Sequence, residues 1–478
     1  MVTVRPVSFN LRTYQIGFGD CFLLSVGYDN GEARHALIDF GTTRRYRGYS
    51  GRENVEIAED IRNLTGGKLN MVVASHRHKD HISGFSGASG EIIASLQPQM
   101  VVQPWTEDPQ LATDATAPLA PTGDGNRNLV RAISAMQDFA LHVQSQWMQL
   151  VGMDAMAAET DPEELDLDDI EDRLDAIESK PNKLLGVNMP QAVPRYMLTE
   201  LLNVGVTNIS NRNAVESLIN MAANAEAGGQ YVSYGDRLTL GGIMPGVKVR
   251  VLGPPTVDQW PDIRKQRHKD KDEFWHLRRQ FWQAHALSQS LAARGSLFED
   301  APTISDVPYA ARWAVPRAQR VRVDQLLSIV RALDSALNNT SVILLFEIGG
   351  KKLLFPGDAQ IENWAYVLDR AQRDTVEGRE LTEVLSQVDL YKVGHHGSLN
   401  ATPKTLWNMF DKKSTTRSDP DRMYSVVSTK SSVHGSRAKK TEVPRQTLLN
   451  ALKRNTHHHS TQMQRKKSEY VHTIELPV

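Results

Sequence analysis

Apolar and polar residues alternate in short bursts through the first hundred residues. The stretch "VSFNLRTYQIGFGDCFLLSVGYDNGEARHALIDFG" gives three strand candidates, broken at Gly17/Gly19 and at the hairpin-type turn "DNGEA". "NVEIAEDIRNLTGG", from residue 54, places apolar residues at helical spacing and ends on glycines, which predicts a helix. "LNMVVAS" is then continuously apolar, as expected of a strand covered on both faces. A polar loop, "HRHKDH", follows directly. Strand, helix, strand and polar loop is α/β logic, and 7–105 reads as strands and turns with one helix.

The texture changes near residue 106, at the linker "EDPQLATDATAPLAPTGDGN". Residues 126–180 read as helical. There Asp161 is placed as an N-cap, Pro162 at the first helical position and Glu164 three residues after the cap. Leu167, Ile170, Leu174 and Ile177 line one face of a solvated amphipathic helix. Strand texture returns at "GGQYVSYGDRLTLGGIMPGVKVRVLGPP", 228–255, and a second helical stretch runs over 256–337. It contains "RKQRHKDKDEFWHLRRQFWQ", where basic and aromatic residues interleave as they do on nucleic-acid-binding faces. The same stretch fits an amphipathic helix burying Phe274, Leu277 and Phe281, with its positive charge diluted by Asp270, Asp272 and Glu273.

From 338 the α/β pattern resumes. "TSVILLFEIGGKKLLFPGDA" is two strands around a Gly-Gly turn, and "QIENWAYVLDRA" is a helix. "VDLYKVGHHGS" is a strand running into a histidine loop, "MYSVVSTK" a further strand and "PRQTLLNALKR" a further helix. "THHHS", 456–460, reads as a polar loop. The chain is thus one α/β core in three pieces, 1–105, 228–255 and 338–478, interrupted by helical insertions at 106–227 and 256–337.

Composition narrows the picture only slightly. The 478 residues allow two to three domains, and a hydrophobic share of 40% suffices for a sizeable core. The formal net charge of −1 offers no global field for nucleic acid or membrane. Cys21, the single cysteine, lies in the apolar "GDCFLLSV" and reads as a small buried residue, compatible with a reducing compartment. No apolar run reaches the ~20 residues a membrane helix needs, and "MVTVRPVSFNLRTYQ" lacks a signal-peptide core. A soluble cytoplasmic protein without membrane partners is the expectation.

Candidate chemistry gathers where apolar strands end. "SHRHKDH" places His76, His78, Asp80 and His81 after the first buried strand. Two imidazoles two residues apart on a loop can converge on one ion, and the next aspartate and histidine can serve a second. Imidazole with carboxylate suits zinc, manganese or iron. With 15 histidines in the chain, such a cluster arises by chance on the order of one time in a thousand. Asp358, in "PGDA", and the pair His395 and His396, in "GHHGS", also follow apolar strands. Sites in α/β sheets gather at the carboxyl ends of strands, so three strand ends with ligand-type residues reinforce one another.

In family order, "IGFGDCFLL", "HALIDFG", "ASHRHKDHISGF", "LGPP", "NNTSVILLFEIGGKKLLFPGDA" and "LYKVGHHGS" resemble the motifs of the metallo-β-lactamase fold hydrolases. Within that superfamily the chain looks most like the branch that includes the hydrolase domain of ComEC-type DNA-uptake proteins. The resemblance covers 7–105, 228–255 and 338–476. It implies a four-layer αβ/βα sandwich with two large helical insertions and two divalent metal ions, Zn or Mn, at one edge of the sheets. Asp39 would lie near the site floor. His76 and His78 would hold one metal, Asp80 and His81 the other. Asp358 would bridge, and His395 or His396 would complete the second site. Many superfamily members supply a further histidine before the bridging aspartate. Here only His142, His268, His276 and His285 lie between His81 and Asp358, all inside the insertions. The branch also tends to carry Gly-His-Pro after its last strand, where this chain has Val443 before Pro444 and a histidine, His434, nine residues before Val443.

Such a centre implies a metal-dependent hydrolase, a phosphodiesterase or nuclease using a metal-bound hydroxide. Asp80 would orient the nucleophile or act as base, and His395 or His396 would donate a proton or stabilise charge. Nucleic acid is the implied substrate, and the insertions are candidate surfaces for a protein partner or a homo-oligomer. Two other readings share these residues: hydrolysis of a lactone, thioester or cyclic nucleotide, and a binding or regulatory module with the same fold.

Overall fold

The computed structural model describes residues 4–44, 53–110, 211–261, 337–398, 402–431, 433, 442–464 and 469–477, with the backbone of 183–184 and 187–188. The chain divides into two compact units. Residues 1–127, 211–264 and 337–478 form the first, and 128–210 and 265–336 the second. The helices expected over 126–180 and most of 256–337, with the basic-aromatic stretch, lie outside the described residues, as do His142, His268, His276, His285 and His434.

The first unit opens with strands β1 (Pro6–Tyr14), β2 (Phe18–Tyr28) and β3 (Ala33–Arg44), then helix α1 (Asn54–Leu64), strand β4 (Met71–Val73) and helices α2 (Lys79–Ile82) and α3 (Gly87–Ser95). Strand β5 (Met100–Pro104) follows. In the second unit, β6 (Lys183–Leu184) and β7 (Val187–Asn188) form a short antiparallel pair. The first unit resumes with helix α4 (Arg212–Asn224) and strands β8 (Gly229–Val232), β9 (Arg237–Leu238) and β10 (Val247–Gly253). It continues with β11 (Ile343–Ile348), β12 (Lys351–Phe355), α5 (Ile361–Ala371), α6 (Val376–Ser386) and β13 (Leu390–Lys392). Last come α7 (Lys404–Met409), β14 (Tyr424–Val427), α8 (Gln446–Asn455), β15 (His457–Ser460) and β16 (Val471–Pro477).

Two seven-stranded mixed sheets result, ordered β16-β1-β2-β3-β4-β5-β8 and β15-β14-β13-β12-β11-β10-β9. Each has an antiparallel half and a parallel half; β3, β4, β5 and β8 run parallel in the first, and β12 to β15 in the second. Side-chain alternation sets the layers. Phe22, Leu24 and Val26 of β2 and Leu344, Phe346 and Ile348 of β11 fill one core shared by both sheets. The intervening Cys21 and Leu23 face a second core with Ile57 and Ile61 of α1, Ile93 of α3 and Leu218 of α4. Ile343 and Leu345 face a third with Trp364 of α5, Leu385 of α6, Leu406 of α7 and Leu452 of α8. The order is helix, sheet, sheet, helix, an α/β sandwich.

Three local readings differ. Helix α3 goes beyond the one helix read in 7–105; the glycines of "SGASGEIIAS" mask it, yet Ile93 is fully buried. Helix α4 lies inside the stretch read as insertion but packs in the first unit's outer layer. "THHHS" is strand β15 rather than a loop: parallel pairing to β14 satisfies its backbone, and His459 is buried against the ring of His472. No helix among the described residues is long and apolar enough to cross a membrane.

Candidate metal centre

Four parallel strands deliver the site from their carboxyl ends. Past β4 come Ser75, His76, His78, Asp80 and His81; past β12, Asp358; past β13, His395 and His396; past β14, Ser428. The backbone ties these loops together. Val342 donates its N–H to the Ser75 carbonyl at 2.8 Å, and His395 donates to the Gly357 carbonyl at 3.3 Å. Two glycines permit the close approach. A Cβ on Gly41 would collide with the Lys79 carbonyl and the Ile82 nitrogen. One on Gly357, at φ +54°, would lie 2.7 Å from Ser75 Cβ.

Asp80, His81, Asp358 and His396 each offer one ligand atom, all within 4.8 Å of one another and all buried. His81 Nε2 lies 3.1 Å from Asp358 Oδ1. His396 Nε2 lies 3.0 Å from Asp80 Oδ2 and 3.6 Å from Asp358 Oδ2. The first sheet contributes Asp80 and His81, and the second contributes Asp358 and His396. Of the histidine pair, His396 joins the group, whereas His395 stands outside it, 3.8 Å from Asp358 and 27% exposed. The sequence leaves His395 and His396 open as the ligand, and the geometry groups His396, not His395, with the other three. The reason is the backbone: His395 (φ 42°), His396 (φ 51°) and Gly397 (φ 81°) are all left-handed, and this tight turn aims successive side chains apart. Histidine is among the few non-glycine residues enriched at positive φ.

The outer nitrogens are anchored. His81 Nδ1 donates to Asp39 Oδ2 at 2.8 Å, and His396 Nδ1 donates to the Ser428 carbonyl at 2.9 Å. Both contacts leave Nε2 aimed inward, the usual support of a ligating imidazole. Asp39 is held in turn by the N–H and hydroxyl of Ser75, at 2.7 and 2.8 Å. Behind both histidines lies Asp20, 3.6 Å from His81 Nδ1 and 3.6 Å from His396 Nδ1. It is ion-paired to the buried Lys392.

His76 and His78 turn toward the same centre. Their ring centroids are 4.6 Å apart, and His76 packs 4.3 Å from His81. Arg77 points away and binds Glu107 through Nε, at 2.8 Å to each carboxylate oxygen, while Asn211 donates to the Arg77 carbonyl at 2.7 Å. Neither His76 nor His78 belongs to a group of three or more metal-type ligands among the described residues.

Charge follows the geometry. Burial opposes protonation of His81 and His396, but Asp358 and neighbouring carboxylates outweigh it and hold both above the usual histidine range. Burial would raise Asp80 and Asp358; hydrogen bonding from His396 to Asp80, and the charge of His81 on Asp358, instead keep both below the usual carboxylate range. Burial drives His76 well down and His78 to about 4, leaving them neutral ligand-type imidazoles.

These donors fit a divalent ion. They are imidazole nitrogens and carboxylate oxygens without thiolate, a set that could hold a metal ion. Asp80 Oδ1 and His76 Nε2 are buried without a hydrogen-bond partner among the described residues, a costly arrangement unless something else satisfies them. Sequence reasoning missed Asp20, Ser75, Lys392, Ser428 and the Arg77–Glu107 clamp. Only a charged residue inside an apolar strand, as in "GDCFLL" and "DLYKV", could have pointed to Asp20 and Lys392. No family model and no curated protein matches the chain.

Proposed function

We propose that this chain is a metal-dependent hydrolase of the metallo-β-lactamase fold, in the ComEC-like branch, acting on phosphodiester bonds of nucleic acid. The observation that carries the reading is the buried group of Asp80, His81, Asp358 and His396, contributed by both sheets at strand carboxyl ends. Those four would hold one ion, and His76 and His78 would contribute to a second. A divalent ion held there would supply a water acidified to a pKa of about 7 and a positive charge for a phosphoryl oxygen. The protein's own groups do the rest. Asp39 and Ser428 orient His81 and His396. His395, partly exposed beside Asp358, would be the candidate proton donor to a departing alkoxide, with burial holding it below the usual histidine range.

The test is a panel of single- and double-stranded DNA, RNA, cyclic nucleotides and a generic phosphodiester, each with Mn²⁺ or Zn²⁺. Cleavage of a nucleic acid by the wild type, lost in Asp80→Ala and His396→Ala with folding intact, is the expected result. Equal activity in both variants would sink the assignment. Turnover of cyclic nucleotides alone would move the substrate to the small-molecule class.

A second reading, a binding module with little chemistry, draws on one observation: His76 and His78 lie outside any complete ligand group among the described residues. Purification without chelator followed by elemental analysis separates the two. Stoichiometric metal favours the hydrolase, and its absence favours the module.

A further inference from the structure

A second group of potential ligands, Asp20, Asp39 and His81, lies directly behind the first and is equally buried. Two acidic side chains and a histidine so placed would compete with the outer group for a divalent ion. Lys392 stands among them. Its side chain is 2% exposed and pairs with Asp20, itself 0% exposed. The ammonium also donates to the Gly357 carbonyl at 3.2 Å and lies 3.8 Å from Asp358 Oδ1. Phe22, Val73, Leu344 and Phe355 wall the remaining space, a cavity of about 10 Å³, room for no more than about one water. Lys392 is the cationic partner of the fully buried Asp20.

We infer that Lys392 is a resident cation: its ammonium fills the inner half of the site, pairs with Asp20 and keeps divalent metal out of the inner group of Asp20, Asp39 and His81. The geometry argues for this over an ordinary buried ion pair. The ammonium touches residues of both groups, and Asp20 backs both of the histidines that the outer group uses. An ammonium differs from a divalent ion in a useful way here, since it is tethered and cannot exchange. Lys392 acts through Asp20 and Asp358 and is a positioning residue.

The inference rests on the reading of the outer group as a metal site, and the experiment separates the two. Full-length wild type, Lys392→Ala, Lys392→Arg and Lys392→Ala/Asp20→Asn are titrated with Mn²⁺ and Zn²⁺ by calorimetry. Bound metal is counted by elemental analysis, and melting is followed with and without metal. Lys392→Ala is expected to bind one more equivalent than wild type. Lys392→Arg and the double variant should return to the wild-type count. Unchanged stoichiometry in a folded Lys392→Ala, or an extra equivalent that persists in the double variant, overturns the inference. Should Lys392→Ala fail to fold, the double variant decides: folding recovered by Asp20→Asn supports the resident cation, and failure of both overturns it. Should wild type bind neither ion, the metal-site reading fails. The lysine is then judged on metal-free melting, where recovery of the single variant's loss by Asp20→Asn supports its counter-ion role and no recovery overturns it.

Discussion

Asp39 holds the left-handed backbone at φ 54° while its carboxylate takes the N–H and hydroxyl of Ser75 and the Nδ1 proton of His81. Asparagine tolerates that backbone, so Asp39→Asn tests the carboxylate alone. Its amide nitrogen would face His81 Nδ1 as a donor and favour the tautomer with hydrogen on Nε2, the atom aimed at Asp358. Outer-shell changes of this kind cost 10–100-fold in metal affinity. Asp39→Asn is expected to lose about that much for Mn²⁺ and Zn²⁺ by calorimetry, with metal-free melting close to wild type. Wild-type affinity would remove Asp39 from the machinery. His395 calls for the opposite signature. It stands at the open side of the site, outside the four-residue group. His395→Ala is expected to lower turnover about 10²–10⁴-fold, as loss of a general acid does, at unchanged metal content. Parallel loss of metal and turnover would make it a ligand.

At the level of elements, the site was legible where a strand end and its ligands are contiguous in sequence. "MVVASHRHKDH" and "LYKVGHHGS" each carry an apolar strand and its loop in one short stretch, and both strands form. What was not legible depends on register between distant segments. Asp20 meets Lys392 only once the two sheets are stacked, and Ser428 meets His396 only once β13 and β14 lie side by side. Strand β15 was misread for the same reason, since three histidines carry no strand signal until β14 and β16 are in place. There His459 stacks on His472, ring centroids 3.7 Å apart and planes at 13°, with His458 next along the strand. Burial, with the neighbouring histidine charges, lowers His459 to about 3, partly opposed by its hydrogen bond with Gln464. Burial also takes His458 to about 4. A histidine lowered by folding is protonated first in the unfolded chain. Its stability contribution is therefore full above pH ~6.5 and is lost as pH falls toward the folded values. By that linkage His459 alone removes on the order of 2 kcal/mol at pH 5. Denaturant unfolding between pH 7 and 5 should show this loss, with a shallower slope in His459→Gln. Identical slopes would mean that the stacked pair does not titrate with folding.

Across the whole first unit, the ligand group does more than collect donors. Asp80 and His81 hang from the first sheet, Asp358 and His396 from the second, and their contacts span the seam between the two layers. Away from the seam the sheets are joined mainly by the shared apolar core, which resists sliding only through packing. An ion bound by all four would clamp the layers at the edge where the loops meet. It would bind the folded chain and not the unfolded one, because the ligands are 278 positions apart between Asp80 and Asp358. Linkage then fixes the size of the effect. Free metal at a hundred times its dissociation constant adds about 2.7 kcal/mol. Added Mn²⁺ or Zn²⁺ should therefore raise the melting temperature by several degrees, and a chelator should reverse the rise. Asp80→Asn and Asp358→Asn, one from each sheet, should each remove most of it. A shift that survives both substitutions would place the ion elsewhere. A shift lost in Asp80→Asn but kept in Asp358→Asn would mean that the ion is held by one sheet and does not bridge the seam.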